Sequence, residues 1–157
     1  MFKKILVCLD GSELAENILP YALEEGEYFE SELVLFRVFS EPAVFSLNLP
    51  GMPSVQVDAE RTERRILEDE KETQDYLKKL ADKLLAEKRI KVSYDSREGS
   101  AGPMIVDYAA NQGIELIAIA THGRTGPGRV MLGSVAEYVI RHSGLPMLLI
   151  RPKHQKE

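Results

Sequence analysis

Glycines and arginines are concentrated in one short stretch, residues 120–134, which contains no acidic residue. They are Gly123, Gly126, Gly128, Gly133, Arg124 and Arg129. The apolar run 116–120 before the stretch has the length and composition of a buried strand, and Ser134 at the end of the stretch is the expected N-cap of a pattern with helical spacing. Glycines let backbone N–H groups approach a ligand closely, and a helix N-terminus adds unpaired N–H groups and a partial positive charge. The stretch therefore predicts a phosphate-binding loop.

The stretch does not match either of two well-known phosphate-binding loops. The dinucleotide fingerprint G-x-G-x-x-G is absent, and residues 128–134 have the glycine spacing of a Walker A loop without its lysine. Asp10 alone does not make the acidic cluster of a phosphoacceptor domain. His122, His142 and His154 lack the spacing of a metal site. We therefore expect neither a P-loop NTPase nor a metal hydrolase.

The composition limits the classes of partner. A chain of 157 residues fits one domain, and its net charge of −5 argues against binding to nucleic acid or to an anionic membrane. Cys8 is the single cysteine, so no internal disulfide can form, and its apolar neighbours indicate a buried side chain. No apolar run reaches the roughly 18 residues of a membrane span, and we recognise no signal peptide. We expect a cytoplasmic protein.

Strands and helices alternate along the whole chain. The predicted strands are 4–9, 32–39, an edge strand near 90–95, 116–120 and 146–150. The predicted helices begin at 12, 59, 100 and 134. This alternation, with nearly continuous apolar strands, predicts a single-domain α/β fold with a five-stranded parallel sheet and helices on both faces. Asp10 and the 120–134 loop both follow carboxyl ends of strands, where such sheets bind ligands, so they can share one crevice.

Three segments carry more specific expectations. The first helix contains Pro20, and because its apolar residues keep one face across the proline, we predict one kinked helix. Residues 59–87 form a long amphipathic helix on the sheet, with a short coiled coil as the alternative. Its predicted sheet-facing residues are Ile66, Leu67, Thr73, Leu77, Leu80 and Leu84. Residues 40–58 form a long loop that serves either as a lid or as a simple connection.

Four segments resemble the universal stress proteins. They are K-K-I-L-V-C-L-D-G-S-E at the start, T-H-G-R-T-G from Thr121, L-G-S-V-A-E from Leu132 and the closing L-P-M-L-L-I-R-P. The resemblance covers residues 1–152 and leaves 153–157 as a charged tail. The ATP-binding branch of that family carries G-x2-G-x9-G-[ST]; Gly123, Gly133 and Ser134 fit it, and Ala120 replaces its first glycine.

The resemblance implies a set of nucleotide-binding residues. Cys8, Leu9 and Asp10 would border the adenine, and Val38 would contact the base. The ribose and phosphates would lie against Ile119, Ala120, His122 and Gly123 and against the helix start at Gly133, Ser134, Val135 and Ala136. The charge of Arg124 in the glycine-rich loop adds it to the candidate site. Asp10 could instead cap the following helix, and His122 and Arg124 could be ordinary surface residues.

The resemblance also implies an architecture and a role. The fold would be Rossmann-like, of the adenine nucleotide alpha hydrolase type, with strand order 3-2-1-4-5, and it would pair as a homodimer through residues 146–151. The ligand would be ATP or another adenine nucleotide, with Mg²⁺ or Mn²⁺ held through its phosphates, and the protein would act as a stress sensor or regulator on a protein partner.

Alternatives are a dimeric scaffold that binds no nucleotide and a slow ATPase. Ala120 would hinder nucleotide binding if its position requires a positive φ or close contact with the ligand. It would be a mild replacement for glycine if it is simply the last residue of the strand.

Overall fold

A computed structural model describes residues 1–39, 59–88, 90–121, 125–126, 129–130 and 132–152. The strands are β1 (Lys4–Leu9), β2 (Glu32–Phe39), β3 (Lys91–Glu98), β4 (Leu116–Ala120), β5 (Thr125–Gly126), β6 (Arg129–Val130) and β7 (Met147–Ile150). The helices are α1 (Glu13–Glu16), α2 (Leu19–Phe29), α3 (Ala59–Glu87), α4 (Ala101–Asn111) and α5 (Ser134–His142). Five parallel strands form one sheet in the order β3-β2-β1-β4-β7, and β5 pairs antiparallel with β6. The α/β class and the order 3-2-1-4-5 are confirmed, with β7 as the fifth strand of the sheet; the antiparallel pairing of β5 with β6 was not predicted.

The strands are apolar on both sides because helices cover both faces of the sheet. In β1, Ile5, Val7 and Leu9 pack in one core cluster with residues of α1, α2 and α3. Leu6 and Cys8 point to the opposite face and pack with α4 and α5. Alternate residues thus enter different cores, as expected where a parallel strand is buried on both faces.

The prediction of one kinked helix around Pro20 is wrong. Four residues form α1, a turn follows at residues 17–18, and α2 then begins at Leu19 with Pro20 in its first turn. Proline is tolerated there because the first N–H groups of a helix have no intrahelical partner. The Asn17 side chain donates hydrogen bonds to the carbonyls of Glu13 and Leu14, which closes α1 before the proline.

The long helix α3 has the predicted bounds, but only its second half lies on the sheet. Thr73, Leu77, Leu80 and Leu84 are buried, whereas Leu67 is 60% exposed, so its predicted sheet contact is wrong. A helix of 29 residues is about 44 Å long, whereas an eight-residue strand extends about 26 Å. The first half of α3 therefore extends past the strands.

The edge strand β3 is confirmed at one side of the sheet. Its alternation is looser than predicted, because Tyr94 is 37% exposed while Ser96 is buried and its hydroxyl accepts a hydrogen bond from the Gln74 amide. None of the helices described here is long and apolar enough to cross a membrane. The predicted 40–58 loop and 153–157 tail lie outside the described residues.

Candidate functional site

The candidate site lies at the carboxyl ends of β1 and β4, which are neighbours in the sheet. Cys8 of β1 is in register with Ile119 of β4, so the two strands end side by side. The chain continues from β1 to β2 on one side, whereas β4 pairs on its other side with β7. The strand order therefore reverses between β1 and β4, and this is where open parallel sheets form a ligand crevice.

A cavity of about 280 Å³ occupies this crevice. Its lining consists of Cys8, Leu9, Asp10, Ala15, Phe36, Val38, Ala101, Ile105, Ile119, Ala120, Thr121, Gly133, Ser134, Val135 and Ala136. Most of these side chains are apolar, and the polar groups are concentrated at Asp10, Thr121 and the start of α5. Small-molecule sites typically combine such apolar walls with a few polar groups that orient the ligand.

The turn after β1 positions Asp10 through its neighbour Ser12. The carboxylate oxygen Oδ1 of Asp10 accepts hydrogen bonds from the Ser12 N–H at 2.9 Å and the Ser12 hydroxyl at 2.6 Å. The Ser12 hydroxyl in turn accepts a bond from the N–H of Ala15 and is the N-cap of α1. Asp10 thus does not cap the helix directly; it orients the residue that does. Gly11 has φ +86°, a backbone conformation that residues other than glycine rarely adopt.

The start of α5 differs in one position from the prediction. Gly133, not Ser134, is the N-cap residue, and Ser134 is the first residue of the helix. The N–H of Gly133 donates a 2.8 Å hydrogen bond to Thr121 Oγ1. A helix leaves its first N–H groups without intrahelical partners, so Ser134, Val135 and Ala136 present donors, and the positive end of the helix dipole, toward the cavity. This arrangement suits an anionic group.

Ala120 is the last residue of β4 and pairs with Ile150 of β7. Glu30 is the non-glycine residue with a positive φ in the described part of the chain, so Ala120 does not occupy a conformation that requires glycine. The backbone of Ala120 is therefore that of an ordinary last residue of a strand, which is the milder of the two expectations for this position. Its methyl group nonetheless lines the cavity.

Cys8 lies in the cavity wall with 5% of its surface exposed. Burial raises the pKa of its thiol to about 12. The thiol is therefore protonated at physiological pH and acts as a small apolar surface and not as a nucleophile.

Ten of the thirteen predicted site residues line this one cavity. They are Cys8, Leu9, Asp10, Val38, Ile119, Ala120, Gly133, Ser134, Val135 and Ala136. The other three, His122, Gly123 and Arg124, lie outside the described residues. Sequence reasoning missed the lining residues Ala15, Phe36, Ala101, Ile105 and Thr121. Thr121 directly follows β4 and could have been proposed from that position; the others are apolar residues whose place depends on how α1, β2 and α4 pack.

Comparisons with known proteins agree with this architecture. The model of the universal stress protein family matches residues 1–151. A curated relative, universal stress protein MJ0531 of Methanocaldococcus jannaschii, is 32% identical, and the match covers 100% of this chain and 86% of the relative. The solved structure of MJ0577 from the same organism has a TM-score of 0.75 at 26% identity and covers 99% of both chains. An Arabidopsis thaliana protein of the family, solved with AMP bound, has a TM-score of 0.63 at 13% identity and covers 97% of this chain and 93% of its own.

Proposed function

Because this chain belongs to the universal stress protein family, we propose that it binds an adenine nucleotide, ATP foremost, in the cavity between β1 and β4. The observation that carries the proposal is the arrangement of that cavity, which has apolar walls, the Asp10 carboxylate on one side and the N-terminus of α5 on the other. An adenine nucleotide has the matching parts, namely a flat base, a hydroxylated sugar and an anionic phosphate.

The size of the cavity supports a division of the ligand between two regions. About 280 Å³ is at the lower end of small-molecule sites, so it suits the nucleoside part. The phosphates would lie at the first N–H groups of α5, where backbone donors and the helix dipole favour an anion. Asp10 uses Oδ1 for Ser12, which leaves Oδ2 to accept a bond from an amino or hydroxyl group of the nucleoside. The AMP bound by the Arabidopsis relative is a ligand of this chemistry.

A divalent cation would be held mainly through the phosphates. Within the described residues, no group of three or more His, Cys, Asp or Glu side chains could hold a metal ion. The carboxylate that borders the cavity there is Asp10, which could supply one oxygen ligand to Mg²⁺ or Mn²⁺. The cation would then reduce the charge of the bound triphosphate.

Regulation by nucleotide occupancy is the proposed role. The ligand would contact both ends of the 120–134 loop, so occupancy would order that loop and change the surface offered to a protein partner in the cytoplasm. The outer edge of β7 has no neighbouring strand in the described part of the sheet, and it offers residues 146–151 as a pairing surface for a homodimer. Amide hydrogen exchange that stays the same in the 120–134 loop at saturating ATP would contradict this role.

Two other functions remain as alternatives, each with its own observation. The methyl group of Ala120 in the cavity wall favours a scaffold that binds no nucleotide. Asp10 favours a slow ATPase, because its carboxylate could position a water molecule or a metal ion. An Asp10→Ala variant that lost a measurable turnover would support the ATPase.

Titration calorimetry with ATP and AMP, with and without Mg²⁺, tests the proposal on protein stripped of endogenous nucleotide. We expect micromolar binding and a loss of about tenfold to 100-fold in Ser134→Ala, because a hydrogen bond to a charged group contributes about 1.5–3 kcal/mol. Ser143→Ala is the matched control, since Ser143 lies at the opposite end of α5 and its hydroxyl accepts a bond from the Leu145 N–H. Wild-type protein that binds neither nucleotide at millimolar concentration would overturn the proposal and favour the scaffold.

A further inference from the structure

Thr121 directly follows β4 and connects the end of that strand to the start of α5, which lies twelve residues further along the chain. Its backbone N–H donates a 3.0 Å hydrogen bond to the carbonyl of Ile150, which fixes the residue to β7 beyond the end of β4. Its side-chain Oγ1 accepts the 2.8 Å hydrogen bond from the N–H of Gly133, the N-cap of α5. We refer to this second contact as the β4–α5 clasp. Thr121 is 5% exposed and lines the cavity, so the clasp is part of the site wall.

The clasp explains why residue 133 is a glycine. Gly133 has φ −60° and ψ 148°, a conformation open to any residue, so backbone freedom is not the reason. A Cβ added at Gly133 would lie 2.9 Å from Thr121 Oγ1, closer than real Cβ contacts come. The absence of a side chain at Gly133 therefore allows the hydroxyl oxygen of Thr121 to reach the N–H group.

The clasp also decides which donors are left for a ligand. The N–H of Gly133 is committed to Thr121, so an anion meets the N–H groups of Ser134, Val135 and Ala136. A threonine hydroxyl has one proton and two acceptor lone pairs. Because its oxygen already accepts from Gly133, the Thr121 hydroxyl proton can be donated into the cavity that the residue lines.

We propose that Thr121 is a positioning and specificity-determining residue, which holds the α5 N-terminus in place through the clasp and thereby selects phosphate-bearing nucleotides over the bare nucleoside. This proposal rests on the proposed function and adds a residue with a defined task to it. It places the effect of Thr121 on the phosphate part of the ligand, and not on the nucleoside part that the apolar walls contact.

The test compares the affinities for AMP and for adenosine in four proteins by calorimetry. Thr121→Val keeps the shape of the side chain but loses the hydroxyl, and Thr121→Ser keeps the hydroxyl. Thr73→Val is the matched control, because Thr73 is a buried threonine of α3 that does not line the cavity. We expect Thr121→Val to lower the AMP-over-adenosine preference about tenfold with adenosine affinity within about twofold of wild type, and Thr121→Ser and Thr73→Val to keep the preference within about twofold. Thr121→Ala should behave as Thr121→Val does and replaces it if the valine variant does not fold.

The outcomes separate this proposal from the proposed function. An unaltered preference in Thr121→Val, or in Thr121→Ala where that variant replaces it, would overturn the role of Thr121 alone, as would equal losses for AMP and adenosine. A serine variant as impaired as the valine variant would overturn it too, because the hydroxyl would then not be the group that matters. Wild-type protein that binds no AMP or ATP at millimolar concentration would overturn the proposed function, and this inference with it.

Discussion

The two faces of the sheet end differently at the carboxyl edge of the strands. On the face covered by α1, α2 and α3, the Arg37 guanidinium lies over the ring of Tyr76 at 5.5 Å, and the Tyr76 hydroxyl donates a 2.9 Å hydrogen bond to Glu16. The guanidinium of Arg37 also lies beside Gly11, where an added Cβ would be 3.0 Å from Arg37 Cζ. Large side chains thus cover the end of the sheet on this face.

On the face covered by α4 and α5, the corresponding positions are small. Ala101 begins α4 and Ala136 lies in the first turn of α5, and both line the cavity together with Gly133. The large side chains of this face include Phe36 and Tyr108, whose rings stack with their centroids 4.2 Å apart, and Phe36 itself lines the cavity. The cavity is therefore bordered by one ring of a packed aromatic pair.

This comparison shows that side-chain volume decides which side of the crevice is open. Both faces have the same strands beneath them and helices above them, and both have a continuous buried core. The face with Arg37 and Tyr76 contributes Leu9, Ala15 and Ala120 to the cavity wall but is covered at the end of β2, whereas the alanines and glycine of the other face leave room for a ligand. Changes in size or contact at these positions should therefore affect binding on one face and stability on the other.

The largest expected effect comes from filling the open face. Ala101→Phe places an aromatic ring where α4 borders the cavity, and we expect nucleotide affinity to fall about 100-fold, or about 2.7 kcal/mol. Thermal stability should change little, because Ala101 is only half-buried and the ring has space to enter. Calorimetry with ATP and thermal melting measure the two quantities.

Ala110→Phe is the control for this change, because Ala110 is an exposed residue of the same helix. It should leave ATP affinity within about twofold of wild type. Unimpaired binding in Ala101→Phe would mean that the ligand does not use this cavity, and the comparison of the two faces would then say nothing about function.

A smaller effect is expected from the turn that joins the two faces. Gly11→Ala forces a side chain into φ +86° and moves the Arg37 guanidinium, so we expect the free energy of unfolding to fall by about 1–2 kcal/mol. Gly113→Ala introduces a similar strain at φ +65° with nothing within 4 Å of the added Cβ. Urea unfolding should give similar losses for both variants.

Binding should distinguish these two glycine variants. Gly11 is adjacent to Asp10 and Ser12, so Gly11→Ala should weaken ATP binding severalfold by shifting the carboxylate. Gly113→Ala should not, because Gly113 does not line the cavity. Equal ATP affinities in the two variants would show that the turn after β1 does not hold the Asp10 carboxylate in place for the ligand.

Much of the fold was accessible from the sequence because its signals are local. The apolar runs of β1, β2 and β4 and the periodicity of α3 and α5 predicted the observed bounds of those elements. The break between α1 and α2 was not predicted, because the apolar face continues across it and only the proline marks it. The exposure of Leu67 was also missed, since periodicity places a residue on a helix face without showing how far the sheet extends beneath it.

The residues of the candidate site also fall into those that the sequence predicted and those that it did not. The glycine-rich loop and Asp10 were recognisable by residue type, and most other positions came from the resemblance to a family. Thr121 and its bond to Gly133 were missed, because a contact between residues twelve apart depends on the path of the loop between them. Phe36 and Ile105 were missed because an apolar residue in a strand or helix is assigned to the core by its pattern, whether or not a cavity lies beside it.

The smallest expected effect lies on the covered face. Tyr76→Phe removes the hydrogen bond to Glu16, and we expect the free energy of unfolding near pH 7 to fall by about 1 kcal/mol. Burial, followed by the hydrogen bond to Glu16, raises the pKa of Tyr76 above its usual value near 10. The native state thus disfavours the ionised phenol, so the contribution of Tyr76 to stability is complete below about pH 10 and is lost as the pH rises beyond it.

The difference in stability between wild type and Tyr76→Phe should therefore shrink in urea unfolding experiments above pH 10. Tyr108, whose pKa burial raises to about 12, is present in both proteins and cancels in that difference. Tyr28→Phe, at an 81% exposed tyrosine, is the control and should show neither effect. ATP affinity should stay at the wild-type value in Tyr76→Phe, because Tyr76 does not line the cavity. A loss of affinity there would mean that the contact between Arg37 and Tyr76 also shapes the site, and the assignment of these two large side chains to stability alone would have to be abandoned.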